Sequence, residues 1–107
     1  MCTHAHIVLG QLGVHRGNLL LMQNKLELAE KTIKKALKLN EDNKNKLGLV
    51  GDYRNLGNLC LQRTDWAMAE RYYTQAQQIN EEMGYKSEVA EDFRNLFNLY
   101  VQKSDWN

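Results

Sequence analysis

The sequence contains no proline and only two cysteines, Cys2 and Cys60. The absence of proline removes the strongest helix breaker, and two cysteines give no disulfide framework. Charge is nearly balanced, with 14 basic and 13 acidic side chains, so nothing suggests general attraction to nucleic acid or an anionic membrane. No apolar run approaches the roughly 18 residues of a membrane span, and the N-terminus lacks a signal-peptide pattern. We therefore expect a cytoplasmic protein with neither nucleic acid nor membrane as a partner.

Catalytic groups are also scarce. All three histidines lie within the first fifteen residues, and no serine–histidine or cysteine–histidine motif occurs. Catalysis needs a positioned acid, base or nucleophile, so we expect neither an enzyme nor a cofactor. Cys2, His4 and His6 alternate and could hold a metal in an extended segment. A terminal segment without a ligand is the simpler interpretation, and we predict no metal site.

The most informative pattern that is present is a repeat with a period of forty residues. The segment from Tyr53 to Leu59, YRNLGNL, returns as FRNLFNL from Phe93 to Leu99. Eight of the fourteen positions in 53–66 are identical to their counterparts in 93–106. A fixed period of this size indicates a repeat architecture, in which neighbouring units stack and share a continuous surface. At 107 residues the chain is expected to form one domain, 1–107.

Each repeat has the spacing of helices. An apolar stripe at i, i+4, i+7 and i+11 predicts a helix over 47–62. A turn follows at 63–65, where Thr64 or Asp65 can cap the next helix. That helix is predicted to begin near Trp66 and to stop near Met83, before a glycine that can close it in the left-handed conformation.

The flanking repeats follow the same scheme. In the first repeat, Asn24 with Glu27 three residues later predicts a helix start, and the last repeat stops after one helix. The remaining predicted elements are helices over about 5–22, 25–39 and 87–102, with a polar turn at 40–44. We thus predict an all-α chain of five antiparallel helices in about 2.5 repeats, at about 7–44, 45–84 and 85–107.

The middle repeat resembles the tetratricopeptide repeat, a helix–turn–helix unit. The residues that carry the resemblance are Tyr53, Leu56, Gly57, Cys60, Ala69, Tyr73 and Ala76. The first repeat departs from the family pattern at Gly13 and Arg16, and the third has Phe97 in place of the glycine. The forty-residue period is similar to the longer-helix subclass that includes kinesin light chains, Pins-type polarity adaptors and bacterial peptide-sensing regulators. The resemblance implies a right-handed solenoid that serves as a scaffold for protein binding.

The resemblance also implies where a ligand binds, because the first helix of each tetratricopeptide pair lines a concave groove. On a helical wheel, one polar arc of these helices is separate from the apolar stripe. The predicted peptide-binding groove residues are Asn18, Arg54, Asn55, Asn58, Gln62, Arg94, Asn95, Asn98 and Gln102.

Asn18, Asn58 and Asn98 would form a ladder along that groove. An asparagine amide offers a donor and an acceptor, so it can pair with the backbone of an extended peptide. Arg54 and Arg94 would bind a carboxylate of the ligand, which predicts an extended, polar or acidic peptide partner. The other interpretation is a solvated helix face, duplicated when the repeat was duplicated.

The last helix carries an apolar face with no following helix in the sequence to cover it. Such a face marks an interface or a truncated repeat array. The residues predicted to form a self-association face are Phe93, Leu96, Phe97 and Tyr100. The alternative function is therefore a self-associating structural segment of a longer solenoid, and the alternative partner is a second copy in a homodimer.

Overall fold

In the computed structural model, the backbone of residues 12–106 and the side chains of residues 23–105 are described. This part of the chain forms four α-helices and no strand, which confirms the all-α prediction. The helices are α1 (Leu12–Asp42), α2 (Lys46–Gln62), α3 (Trp66–Met83) and α4 (Lys86–Trp106). None of these helices combines the length and apolar character needed to cross a membrane.

The chain divides by its contacts into two compact units, Met1–Lys31 and Thr32–Asn107. The described part of the first unit is the N-terminal portion of α1. Its side chains from residue 23 onward include Leu28, which is exposed. The second unit holds the end of α1 and the helices α2, α3 and α4. All of the interactions described below lie within this second unit.

Helix α1 corrects the prediction for the first repeat. Two helices over 5–22 and 25–39 were expected, but one helix runs from Leu12 to Asp42 and includes Asn24. The described chain therefore has four helices instead of five. The sequence LLLMQNKLE at 19–27 explains the continuity. It is rich in good helix formers, contains neither glycine nor proline, and its single asparagine costs less than about 1 kcal/mol.

The ends of α2 and α3 agree with the sequence. The side chain of Asn45 accepts a hydrogen bond from the Gly48 N–H at 3.1 Å and caps α2. Asp65 accepts from the Met68 N–H at 3.3 Å and caps α3. Each cap satisfies one backbone donor that the first helical turn leaves without a partner. The predicted turn at 63–65 and its capping role for Asp65 are confirmed.

Gly84 ends α3 in the left-handed conformation, with φ of 76°. Its N–H donates to the carbonyl of Glu81, and glycine adopts this φ without a Cβ penalty. The predicted stop near Met83 is therefore confirmed. Helix α4 begins at Lys86 as expected, but it continues to Trp106 and includes the residues predicted as a tail after residue 102.

The core of the second unit forms where α3 packs between α2 and α4. Leu56, Ala69, Tyr73, Ala76 and Leu99 are each at most 2% exposed. Gly57 makes close packing of α2 and α3 possible, because a Cβ at this position would lie 2.6 Å from Cε1 of Tyr73. This contact gives the physical reason for the glycine in the repeated motif.

Candidate functional site

Two asparagine–aspartate pairs, one partly buried and one buried, join successive helices. Nδ2 of Asn40 donates to Oδ2 of Asp52 at 2.6 Å, and Nδ2 of Asn80 donates to Oδ2 of Asp92 at 2.7 Å. Asn80 and Asp92 are almost completely buried, so these bonds hold polar groups that would otherwise be costly to bury. Sequence reasoning missed both pairs. The signal was present, since the two asparagines and the two aspartates match at the forty-residue offset and each pair is twelve residues apart.

Arg54 joins α2 to α4. Its Nε donates to Oδ1 of Asp92 at 2.9 Å, and its Nη1 donates to Oε1 of Glu88 at 2.8 Å. Nη2 also donates to the backbone carbonyl of Glu88 at 3.0 Å. Burial lowers the pKa of the Arg54 guanidinium, but the hydrogen bonds and charges of Asp92 and Glu88 together raise it above its ordinary value. Arg54, which was predicted from the sequence to bind a ligand carboxylate, is thus paired with two carboxylates of its own chain.

Arg94 is the counterpart of Arg54 one repeat later, and its surroundings differ. Its side chain is 74% exposed and pairs at 2.9 Å with Glu91, three residues earlier on the same helix. An exposed pair of this kind contributes little to stability. Arg94 thus lacks the interhelical clamp that holds Arg54.

The structure describes the side chains of two of the three asparagines in the predicted ladder. Asn58 and Asn98 are both exposed, while the side chain of Asn18 lies outside the described residues. Oδ1 of Asn58 accepts a hydrogen bond from the hydroxyl of Tyr73. The amide of Asn58 is therefore partly engaged inside the molecule. In the second row, Asn55 is exposed and Asn95 is half-buried.

The structure brings two predicted groove residues together in one open cleft. Gln62 near the end of α2 and Gln102 near the end of α4, forty residues apart in the sequence, both line a cavity of about 450 Å³. The complete lining is Leu61, Gln62, Thr64, Trp66, Gln102 and Asp105. The lining thus combines two side-chain amides, the apolar side chains of Leu61 and Trp66, and one carboxylate. Sequence reasoning had not placed Trp66, Thr64 or Asp105 at a binding site.

Most of the predicted self-association face is exposed. Phe93, Phe97 and Tyr100 are 55%, 69% and 47% exposed, and Val101 beside them is 41% exposed. Leu96 is the exception, because it packs against the core cluster around Ala69, Tyr73 and Leu99. Leu96 is partly buried and lies at the border between this face and the core. The hydroxyl of Tyr100 donates to Oε2 of Glu70 on α3 at 2.7 Å.

The possible metal ligands Cys2, His4 and His6 lie outside the described residues. Comparison with known proteins found no matching family model, no matching curated protein and no matching solved structure. The described chain is an all-helical protein with an internally repeated helical arrangement.

Proposed function

We propose that the protein is an interaction module of tetratricopeptide type that holds an extended peptide segment of a protein partner. The observation that carries this proposal is the convergence of Gln62 and Gln102 on one cleft. Two equivalent amides on successive first helices provide repeated donor and acceptor groups along a surface. A peptide backbone presents the same alternation of N–H and C=O groups.

The cleft also suggests the chemistry of the peptide. Leu61 and Trp66 supply an apolar floor, and Asp105 is its one charged lining residue. Arg54 and Arg94, which supported an acidic ligand, both have carboxylate partners within the chain. We therefore propose a polar, extended segment in which a basic side chain next to Asp105 is favoured over an acidic one.

The test is a binding experiment with an unbiased probe. A library of random, displayed heptapeptides is selected on the protein, and the selected peptides are synthesised and measured by calorimetry. We expect a protein with both Gln62→Ala and Gln102→Ala to lose about 10-fold to 100-fold in affinity, because each lost amide removes roughly 1 kcal/mol of hydrogen bonding.

The matched control replaces two glutamines on another surface. Gln75→Ala with Gln78→Ala removes amides from a separate depression on α3 and should leave peptide affinity unchanged. Selected peptides that bind the Gln62/Gln102 variant as well as the wild type would contradict the proposed site. Selected peptides rich in Asp and Glu would contradict the proposed charge preference while leaving the site intact.

The alternative function, self-association, rests on a different surface. Its support is the exposed apolar face of α4, formed by Phe93, Phe97, Tyr100 and Val101.

A further inference from the structure

Helix α4 carries an apolar strip, defined here as Phe93, Phe97, Tyr100 and Val101. The four side chains are between 41% and 69% exposed. At 100° per residue they fall within an arc of roughly 100° on one side of the helix. A contiguous strip of large apolar residues is unusual on a surface without a partner. We therefore expect another surface to pack against the strip.

The internal repeat shows what covers the matching strip on α2. Tyr53, the counterpart of Phe93, stacks on Tyr72 of α3 with ring centroids 6.3 Å apart. Cys60 and Leu61, the counterparts of Tyr100 and Val101, pack against the core cluster. These positions thus form a helix-binding surface in the middle repeat, and α4 presents a second copy of that surface.

Phe97 excludes packing of the strip against a helix that resembles α3. Its counterpart Gly57 is the position where even a Cβ would lie 2.6 Å from the ring of Tyr73. A helix that resembled α3 and placed an aromatic ring at the same level would collide with the phenyl group of Phe97. The strip therefore does not accept the repeat's own second helix in its usual packing.

The charges beside the strip favour a second copy of α4. Arg94 and Asp105 lie on the same flank of the strip, separated by about 20° on the wheel and by about 16 Å along the axis. In a two-fold symmetric pair, residue i meets residue j and residue j meets residue i. When identical helices pair antiparallel, residues on one flank face the same flank of the partner. Arg94 of each copy then meets Asp105 of the other, which gives two opposite-charge pairs.

We propose that the protein forms a homodimer in which two copies of α4 pack antiparallel through the apolar strip. The two-fold axis passes between Leu99 and Tyr100, midway between Arg94 and Asp105. Phe97 and Val101 of each copy interleave on either side of that axis. Forming the dimer breaks only the exposed ion pair between Arg94 and Glu91. Such a pair contributes little to stability.

The first test is the mass of the wild type and of Phe97→Glu by sedimentation equilibrium over a concentration series. We expect a reversible dimer for the wild type and a monomer for Phe97→Glu, because the substitution buries a carboxylate in the strip. Circular dichroism should show the same helix content for both, since Phe97 is 69% exposed. A wild type that stays monomeric at every concentration would overturn the proposal. So would a dimer that survives Phe97→Glu.

The second test fixes the orientation. Arg94→Asp and Asp105→Arg each place two pairs of like charges at the interface, and each should weaken dimerisation by about tenfold or more. The double variant with both substitutions restores opposite charges and should dimerise within about threefold of the wild type. Lys103→Asp, on the opposite side of α4, is the matched control and should have no effect. Failure of the double variant to recover would overturn the antiparallel arrangement.

The dimer and the peptide cleft are tested separately, although they share Asp105. Phe97 does not line the glutamine cleft, so Phe97→Glu should abolish the dimer and retain peptide binding. Asp105 lines that cleft and pairs with Arg94 of the other copy in the proposed dimer, so its variants test the dimer by mass alone. Loss of the dimer with peptide binding retained would show that the cleft does not depend on the dimer.

Discussion

At the scale of single residues, the missing side chain of Gly57 sets how closely α2 and α3 approach. Sequence analysis could identify this glycine from its place in the repeated motif. It could not show that the ring of Tyr73 is the group that fills the space, because the sequence does not define which rotamer the ring takes.

Gly57→Ala should lower the free energy of unfolding by about 1–3 kcal/mol, since the new methyl group overpacks the contact with Tyr73. Chemical denaturation followed by circular dichroism measures the change. Gly51→Ala in the same helix is the control, because a Cβ there has no neighbour within 4 Å. That substitution should stabilise the protein by up to about 1 kcal/mol through helix propensity. Equal losses for both variants would rule out the packing explanation.

Arg54 and Arg94 show how identical residues acquire different roles. The sequence singled out both arginines and assigned them the same ligand role. Their difference depends on which helix lies beside each of them, and a local motif does not contain that information. Asp92 and Glu88 are thirty-eight and thirty-four residues from Arg54.

Arg54→Met should lower the free energy of unfolding by about 3 kcal/mol, because it leaves the buried carboxylate of Asp92 without its charged partner. Arg94→Met removes only an exposed pair and should cost less than about 1 kcal/mol. Urea denaturation at low protein concentration compares the two variants on equal terms. A smaller effect at residue 54 than at residue 94 would be inconsistent with the clamp.

At the scale of helices, the two asparagine–aspartate pairs differ at the asparagine oxygen. Oδ1 of Asn40 accepts a hydrogen bond from Nδ2 of Asn45 at 3.2 Å. The counterpart of Asn45 is Tyr85, and among the described residues Oδ1 of Asn80 is buried without a partner. The asparagine of the second pair therefore lacks a bond that the asparagine of the first pair makes.

Tyr85→Asn should raise the free energy of unfolding by about 1–2 kcal/mol, because it supplies a helix cap for α4 and a donor for Asn80. Thermal and urea denaturation measure the gain. Tyr85→Asp is the matched variant, since an aspartate caps the helix but has no N–H to donate. If the two variants stabilise equally, the cap alone accounts for the gain and the amide bond has not formed.

The sequence predicted a helix end correctly where a particular residue caps or terminates the helix. Gly84 and Asp65 act through their own backbone or side chain, and both were identified from the sequence. Asn24 was not a helix end, because an asparagine can also sit within a helix when nothing else breaks it. The repeat register suggested a turn there, but the local sequence favoured continuing the helix.

At the scale of the whole molecule, the burial of Tyr73 makes the stability of the fold depend on pH. Burial raises the pKa of its hydroxyl above the ordinary value near 10, and the negative charge of ionised Cys60 adds to this. The neutral hydroxyl also donates to Asn58. Because the pKa is higher in the folded state than in the unfolded state, the protonated tyrosine stabilises the fold below about pH 10. This stabilisation is lost as the pH rises through the pKa of the folded state.

The urea midpoint of the wild type should therefore fall as the pH rises above about 10. Tyr73→Phe should be less stable than the wild type at neutral pH by about 1 kcal/mol, through the lost hydrogen bond, but should lose less stability in alkali. Tyr85→Phe provides the comparison, because Tyr85 lies at the surface and is 37% exposed. A wild-type midpoint that does not change with pH would contradict the buried, neutral state of Tyr73.

The duplicated segment has a consequence for how mutations act. Each copy carries similar groups for joining helices, but among the described residues only the earlier copy packs against a following helix that uses them. A change at Arg54 or Gly57 alters how well one molecule holds together. The same change at Arg94 or Phe97 alters, on the proposal above, whether two molecules meet. Selection could thus adjust folding and assembly separately, although both began from one stretch of sequence.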